Sequence, residues 1–426
     1  MKRVVVTGIG VVASNGIGKN EFTHSLLNGI SGIKHIAELE ELEFGCQIGG
    51  IPDISKSEYN SYIEQYGMQT ASLMIKYAII AGLEAWADSK LKIPIHNSKE
   101  VDFNTGAIIG SGIGAIDVYG ERIIPLTNNK NIKKLRSTIV ENVLLSGGSA
   151  SLSKILAIGN QLTFNSSACN TGAEAILMAY ERIKYGKATR MIAGSSDAYS
   201  VWSWSPFDAL HVTTRKYNNE PNKGSRPMSK TASGFVPSAG AGIIILEEFE
   251  SAIKRNAPIY AEIKGGYINS GGQRNGGSMT APSKEGVINC IRSALHETNT
   301  KPNEIDFISG HLSSTMADTL EIENWSKALD LSGNKFPIIN STKSLIGHSL
   351  GAAGSIECIA AILQLHHQFI HLSANCEDLH PSIEKIVNKN CVVQHTIKNF
   401  PLNCVAKASF GFGDVNTCLI IQKLNK

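Results

Sequence analysis

The 426-residue chain has no CxxC pair, and none of its eight cysteines is spaced with a histidine in the manner of a metal site. In a chain this long, that pattern reads as reduced thiols in a cytoplasmic protein, with no metal and no disulfide framework. Long apolar runs are missing too, which argues against membrane insertion. The opening MKRVVVTGIGVVASNG has the outline of a leader peptide, but its apolar stretch is short, β-branched and broken by Thr7, Gly8 and Gly10. It reads as a first buried strand followed by a glycine turn. An excess of one charge is also lacking: 40 Lys and Arg face 37 Asp and Glu, a formal net of +3. That balance gives no footprint for nucleic acid, while the slight basic excess suits an acidic partner. There is no low-complexity segment and no charge block.

What is present is an alternation of short β-branched runs with helical patterns, the mark of an α/β protein with largely parallel, buried strands. Three runs in the first half end in small residues: NTGAIIGSGIGA (104–115), LTFNSSAC (162–169) and RMIAGSSDA (190–198). Three in the second half do so in the same order: IDFISGHLSST (305–315), FPIINSTKS (336–344) and NCVAKASFGFG (403–413). The middle members match best, because Asn165-Ser166-Ser167 and Asn340-Ser341-Thr342 each sit between an apolar strand and a Gly/Ala-rich helix. We read a diverged internal duplication with its boundary near 247–262, giving an N-terminal half over 1–254 and a C-terminal half over 255–426. The polar stretch 200–233, rich in Trp, Tyr, Asn, Lys and Pro, reads as an excursion that shapes a binding site. Segments 52–72 and 116–150 read as helical or irregular insertions.

Cys169 sits at a strand-to-helix turn, in SSACNTGAEAILMAYERIK. There the positive end of the helix dipole favours thiolate, so the expected pKa lies below that of a free cysteine. A thiolate at such a turn suits an acyl thioester. Ligands of α/β proteins gather at the carboxyl ends of strands. In the second half those ends carry His311, Lys343 and His348, the histidines lying among Gly, Ser and Thr. His366, His367 and His371 read as ordinary surface or core residues. GSGIGA lacks the GxGxxG spacing of a dinucleotide turn. ASFGFGDVN could place a backbone N–H beside a reacting carbonyl.

With these blocks together, the chain resembles the β-ketoacyl-[acyl-carrier-protein] synthases of types I and II, condensing enzymes of the thiolase superfamily. The resemblance runs the whole length, through RVVVTGIGVV, GSGIG, SSACNTGA, SRPMS, GFV, GHLSST, STKSLIGHSLGAAGSIE and ASFGFGDVN. It implies a thiolase-like fold, two duplicated βαβ halves in a five-layer αβαβα sandwich. It implies that Cys169 carries the acyl chain, and that His311 and His348 stabilise the enolate left when a malonyl group on the carrier loses carbon dioxide. Lys343 would order the histidines, with Glu357 as its partner. The backbone N–H groups of Cys169 and Phe412 would form the oxyanion hole, and Phe412 would gate the acyl pocket. Ser313 and Thr315 fall where the family binds the pantetheine arm. No cofactor of its own is implied, since phosphopantetheine arrives attached to acyl carrier protein. The expected assembly is a homodimer, with a heterodimer with a chain-length partner as the alternative.

The chain also departs from the family pattern. His311 is followed by Leu-Ser-Ser-Thr-Met-Ala-Asp318 where HGTSTP is usual, ASGFVPSAGAG stands for RDGFVxGEGA, Asn170 follows the cysteine where Ala is usual, and Asp414-Val415 replaces Gly-Thr. These changes leave two readings beside fatty-acid elongation: a specialised ketosynthase of a polyene or polyketide pathway, or a non-catalytic chain-length partner. A degradative thiolase fits least, since neither Cys404 nor Cys418 sits in a suitable Gly-flanked loop.

Overall fold

The computed structural model describes residues 1–55, 57–95 and 99–424. The principal strands are β1 (Val4–Ala13), β2 (Thr105–Gly110), β3 (Leu162–Thr163), β4 (Arg190–Asp197), β5 (Gly240–Glu248), β6 (Ala261–Ser270), β7 (Phe307–Ser309), β8 (Ile338–Asn340), β9 (Cys404–Gly411) and β10 (Val415–Gln422). Their order across one sheet is β8-β7-β9-β10-β6-β1-β5-β4-β2-β3. Each strand of the first half therefore has its counterpart five strands later, at the mirrored position. In the first half β2 is parallel to β3 and β4, while β5 is antiparallel to both β4 and β1. In the second, β7 is parallel to β8 and β9, while β10 is antiparallel to β9 and β6. The expected parallel direction thus holds for four strands of each half, with β5 and β10 reversed among them. The halves join where Val4–Val6 pair with Ala261–Ile263.

Eight helices frame the layers and the strand ends: α1 (Leu73–Asp88), α2 (Gly147–Leu156), α3 (Thr171–Lys184), α4 (Val201–Ala209), α5 (Lys284–Glu297), α6 (Ala317–Leu329), α7 (Lys343–Ile346) and α8 (Ala353–His367). Strand periodicity explains the layers. On β5, Ile244 and Leu246 point into a central core while Ile243 and Ile245 point into an outer one, as alternating side chains must. The central core holds Ile176, Tyr180 and Ile183 of α3 with Ile356, Ile359 and Leu363 of α8. One outer core packs α1 through Ile75, Ile79 and Leu83. The other packs α5 and α6 through Ile291 and Trp325. The result is five layers, αβαβα, with α3 and α8 in the middle. β1 is buried at all ten positions, as a first core strand. Between Ile116 and Leu156 the chain runs through a series of short helices, and Ser57–Gln65 is helical, while residue 56 lies outside the described residues. No helix among the described residues is long and apolar enough to cross a membrane.

Candidate active site

The two parallel triplets, β2–β4 and β7–β9, direct their carboxyl ends to one region. Cys169 follows β3, His311 follows β7, Lys343 and His348 follow β8, and Phe412 follows β9. The structure brings them together: the Cys169 sulfur and one nitrogen each from His311 and His348 all lie within 4.8 Å of one another. They line a cavity of about 510 Å³. Phe412, Ser313 and Thr315 line it too, and the hydroxyls of the last two lie 3.0 Å apart. The 200–233 excursion supplies part of its wall through Phe207, His211, Val212, Ala232 and Ser233.

The turn that presents Cys169 is tight. Ala168 takes φ +48°, and α3 begins at Thr171. Thr171 Oγ1 reaches back to accept from Ser167 N–H at 2.8 Å, fixing the turn. Asn170, one of the departures, donates from Nδ2 to Thr417 Oγ1 at 2.7 Å, tying the helix start to β10. The dipole does not set the charge state of the thiol. Burial pushes the Cys169 pKa up to about 11, and the Lys343 ammonium and a hydrogen bond with the Phe412 backbone offset only part of that. The expectation of a depressed pKa is therefore corrected: a half-charge at a helix end is outweighed when the sulfur loses its water. Seven cysteines are buried and Cys169 alone is partly exposed, so access rather than ionisation distinguishes it.

Both imidazoles are held neutral. Burial, with the charge of Lys343 adding to it, keeps His311 and His348 well below the usual histidine range. Leu350 N–H donates to His348 Nδ1 at 3.1 Å, and the Lys343 ammonium lies 3.4 Å from His311 Nδ1. Each ring's acceptor nitrogen is thus occupied, and Nε2 carries the proton. This assignment bears on the one cluster of metal-ligating type among the described residues, Cys169-His311-His348. A cation would need a lone pair on Nε2, and both rings offer an N–H there instead. The arrangement is set for donating to an anion.

Lys343 is fully buried. It donates to the His311 carbonyl at 2.6 Å and to Glu357. Glu321 holds the His311 loop by accepting from His311 N–H and Leu312 N–H, each at 2.7 Å. Asp318 accepts from Ser313, Ser314 and Met228 N–H at 2.8–3.0 Å, so the shortened HLSSTMAD segment still closes on its acid. The GSGIG loop spends its donors internally, since Gly112 N–H bonds Asp197, which also takes Gly351 N–H at 2.6 Å.

Comparison with known proteins places this geometry. The N-terminal domain profile of β-ketoacyl synthases matches residues 1–252, and the C-terminal domain profile matches 260–377. The chain belongs to the β-ketoacyl synthase family. It is 34% identical to 3-oxoacyl-[acyl-carrier-protein] synthase 1 of Escherichia coli K12 over the full length of both chains. The same enzyme of Buchnera aphidicola from Acyrthosiphon pisum is also 34% identical, over 99% of this chain and all of its own. Among solved structures, a type II polyketide ketosynthase in complex with its acyl carrier protein and bound to the hexaketide superposes with TM-score 0.85 at 27% identity, over 99% and 100% of the two chains.

Charged residues behind the site of this synthase, Glu321 and Lys407 among them, are not singled out by any sequence motif. Lys407, in the strand run CVAKASFG, is wholly buried and lies 2.9 Å from Glu357 Oε2. A lysine at an inward position of a buried strand was the available signal. Asp414, read only as a departure, holds the cavity wall: its carboxylate accepts from Gln273 N–H at 2.9 Å and Ser283 N–H at 2.7 Å.

Proposed function

We propose that this synthase condenses an acyl thioester on Cys169 with malonyl-acyl carrier protein to give 3-oxoacyl-acyl carrier protein, in fatty-acid chain elongation. The observation that carries the reading is the Cys169 thiol with two buried imidazoles, His311 and His348, all within 4.8 Å of one another and lining a cavity of about 510 Å³. In the first half-reaction the Cys169 sulfur attacks the acyl thioester carbonyl, the bond to the carrier sulfur breaks, and the thiol proton leaves with that sulfur. The N–H groups of Cys169 and Phe412 hold the transient oxyanion. In the second, the malonyl carboxylate departs as carbon dioxide, and its electron pair becomes an enolate whose oxygen accepts from His311 and His348. The enolate carbon then attacks the acyl carbonyl, the carbon–sulfur bond breaks, and the departing Cys169 thiolate takes a proton from solvent. Preorganised donors aimed at developing charge are the largest single source of rate in such sites. Lys343, paired with Glu357, orients His311 through its carbonyl.

Ser313 and Thr315 offer hydroxyls to the phosphopantetheine arm, which is part of the incoming substrate. Lys284, in the cavity wall, and Lys327 share the single carboxylate of Glu323, a local positive excess suited to an acidic carrier. A second copy of the chain is the proposed partner in assembly. A polyketide or polyene product is the second reading, favoured by Ala232 and Ser233, which stand in the cavity wall where the family carries a charged pair.

The test is the split between half-reactions. Cys169→Ala should carry no acyl adduct by mass spectrometry yet still decarboxylate malonyl-carrier. His311→Ala or His348→Ala should lose roughly a hundred- to a thousandfold in decarboxylation, the usual loss for one oxyanion donor. An acyl adduct on another residue, or full decarboxylation without the histidines, would refute the assignment.

A further inference from the structure

The condensation makes no direct use of Lys407. This lysine lies on β9 two residues after Val405, which faces the central core. Its side chain is fully buried, and its ammonium donates to Ser409 Oγ at 3.1 Å and to the Ala408 carbonyl. It lies 2.9 Å from Glu357 Oε2, while Lys343 holds Glu357 Oε1. One buried carboxylate is therefore clasped between two ammonium groups. A Lys343–Glu357 pair alone would be neutral; the trio holds two ammonium groups against one carboxylate behind the two histidines. Removing a charge from water is costly unless something gains from it.

We propose that Lys407 is a positioning residue for the condensation: by sharing Glu357 with Lys343 it leaves a buried positive excess that keeps His311 and His348 as neutral donors and favours the anion forming in front of them. This rests on the proposed condensing function. The titratable groups facing the cluster are Lys343 on α7, Glu357 and Cys358 on α8, Glu321 on α6, Asp197 on β4, Cys418 on β10, His371, and Cys169, His311 and His348 themselves. The acids among them are Asp197, Glu321 and Glu357; Glu357 takes the two ammonium groups, while Asp197 and Glu321 accept from backbone N–H groups. Lys407 adds its repulsion to that of Lys343 against an imidazolium at either histidine.

The experiment compares wild type with Lys407→Met and Lys407→Gln, following the pH profile of malonyl-carrier decarboxylation together with thermal unfolding. Both variants leave Lys343 and Glu357 as a matched pair, so no charge is stranded. With the positive charge gone the histidines protonate more readily, and the acid limb should move up by roughly half a pH unit or more in both variants. The plateau rate should fall roughly tenfold. Folded variants with an unmoved acid limb would overturn the proposal, even at reduced rate, because a structural role lowers rate without moving the limb. A limb that moves in Lys407→Met but returns in Lys407→Gln would assign a hydrogen-bonding role and overturn the charge argument. Failure of both variants to fold would make Lys407 a residue of the core and overturn it as well. A wild-type enzyme that does not decarboxylate malonyl-carrier would instead bring down the functional reading itself.

Discussion

Cys169 shows how two residue-level effects are ranked by where the atom sits. A helix N-terminus favours a thiolate by at most about 2 kcal/mol, while loss of water at a buried site shifts a pKa by several units the other way. With its pKa near 11, Cys169 is a thiol at neutral pH, so the proposed acyl transfer includes the loss of its proton. Alkylation by iodoacetamide should therefore be selective for Cys169, because the other seven cysteines are buried. The rate should keep rising by about tenfold per pH unit between pH 7 and 10, as the thiolate fraction does. Mass spectrometry of the labelled peptide against pH measures this directly; a plateau already reached near pH 7 would mean a stabilised thiolate. The histidines work with the same force in the opposite sense. Burial disfavours the imidazolium, and that leaves each ring neutral with an Nε2–H to give.

At the scale of elements, the middle layer decides where Cys169 stands. α3 and α8 pack on each other between the two half-sheets, close enough that a Cβ on Gly172 would lie 2.4 Å from the Ser355 backbone nitrogen and 2.4 Å from Ser195 Oγ. Backbone cannot give way as a side-chain tip can, so Gly172→Ala must push α3 off α8. The expected cost is about 1–3 kcal/mol, typical of overpacking a tight core. Chemical denaturation should show that loss. Acyl-adduct formation should fall with it, since Cys169 stands three residues before the displaced glycine. An unchanged midpoint would show that the layer is looser than the contact distances imply. The same layer marks what the sequence could convey. Strands, the duplication, Cys169, His311, Lys343 and His348 were legible because strand ends rich in small residues announce themselves locally. Lys407 and Asp414 were not, because their significance lies in which residue of another element they meet. Lys407 needs Glu357 from α8, and Asp414 needs the backbone of residues 273 and 283. The ionisation of Cys169 was misjudged for a related reason: the dipole is visible in sequence, but the depth of burial is not.

At the scale of the whole molecule, the sheet has two ends, and they are not alike. At the second-half end, β8 is met by the segment carrying Val392, which bridges to Ile339. At the first-half end, β3 is a two-residue strand whose Leu162 is 41% exposed. Phe103 and Val101 stand exposed on the neighbouring loop, which Asn160 holds by donating to the Phe103 carbonyl at 2.7 Å. Exposed apolar side chains also occur on the insertion before α2, at Ile132, Val140 and Leu145, and on α4 at Trp202. An unpaired edge with apolar neighbours such as Val101 and Phe103 is a template for further pairing. A second copy meeting edge to edge across a two-fold axis would cover both copies of that edge with one isologous contact. Light scattering of the purified chain should therefore give about twice the 45.8 kDa monomer mass. Leu162→Lys places a charge on the edge, the device by which natural sheets stay unpaired, and should shift the mass toward the monomer. Its effect on activity is informative in turn. If the monomer keeps full condensation rate, each cavity is self-sufficient and the edge serves assembly alone. If the wild-type chain is itself a stable, active monomer at micromolar concentration, the edge must be covered by a different chain, and a chain-length partner becomes the candidate to co-purify.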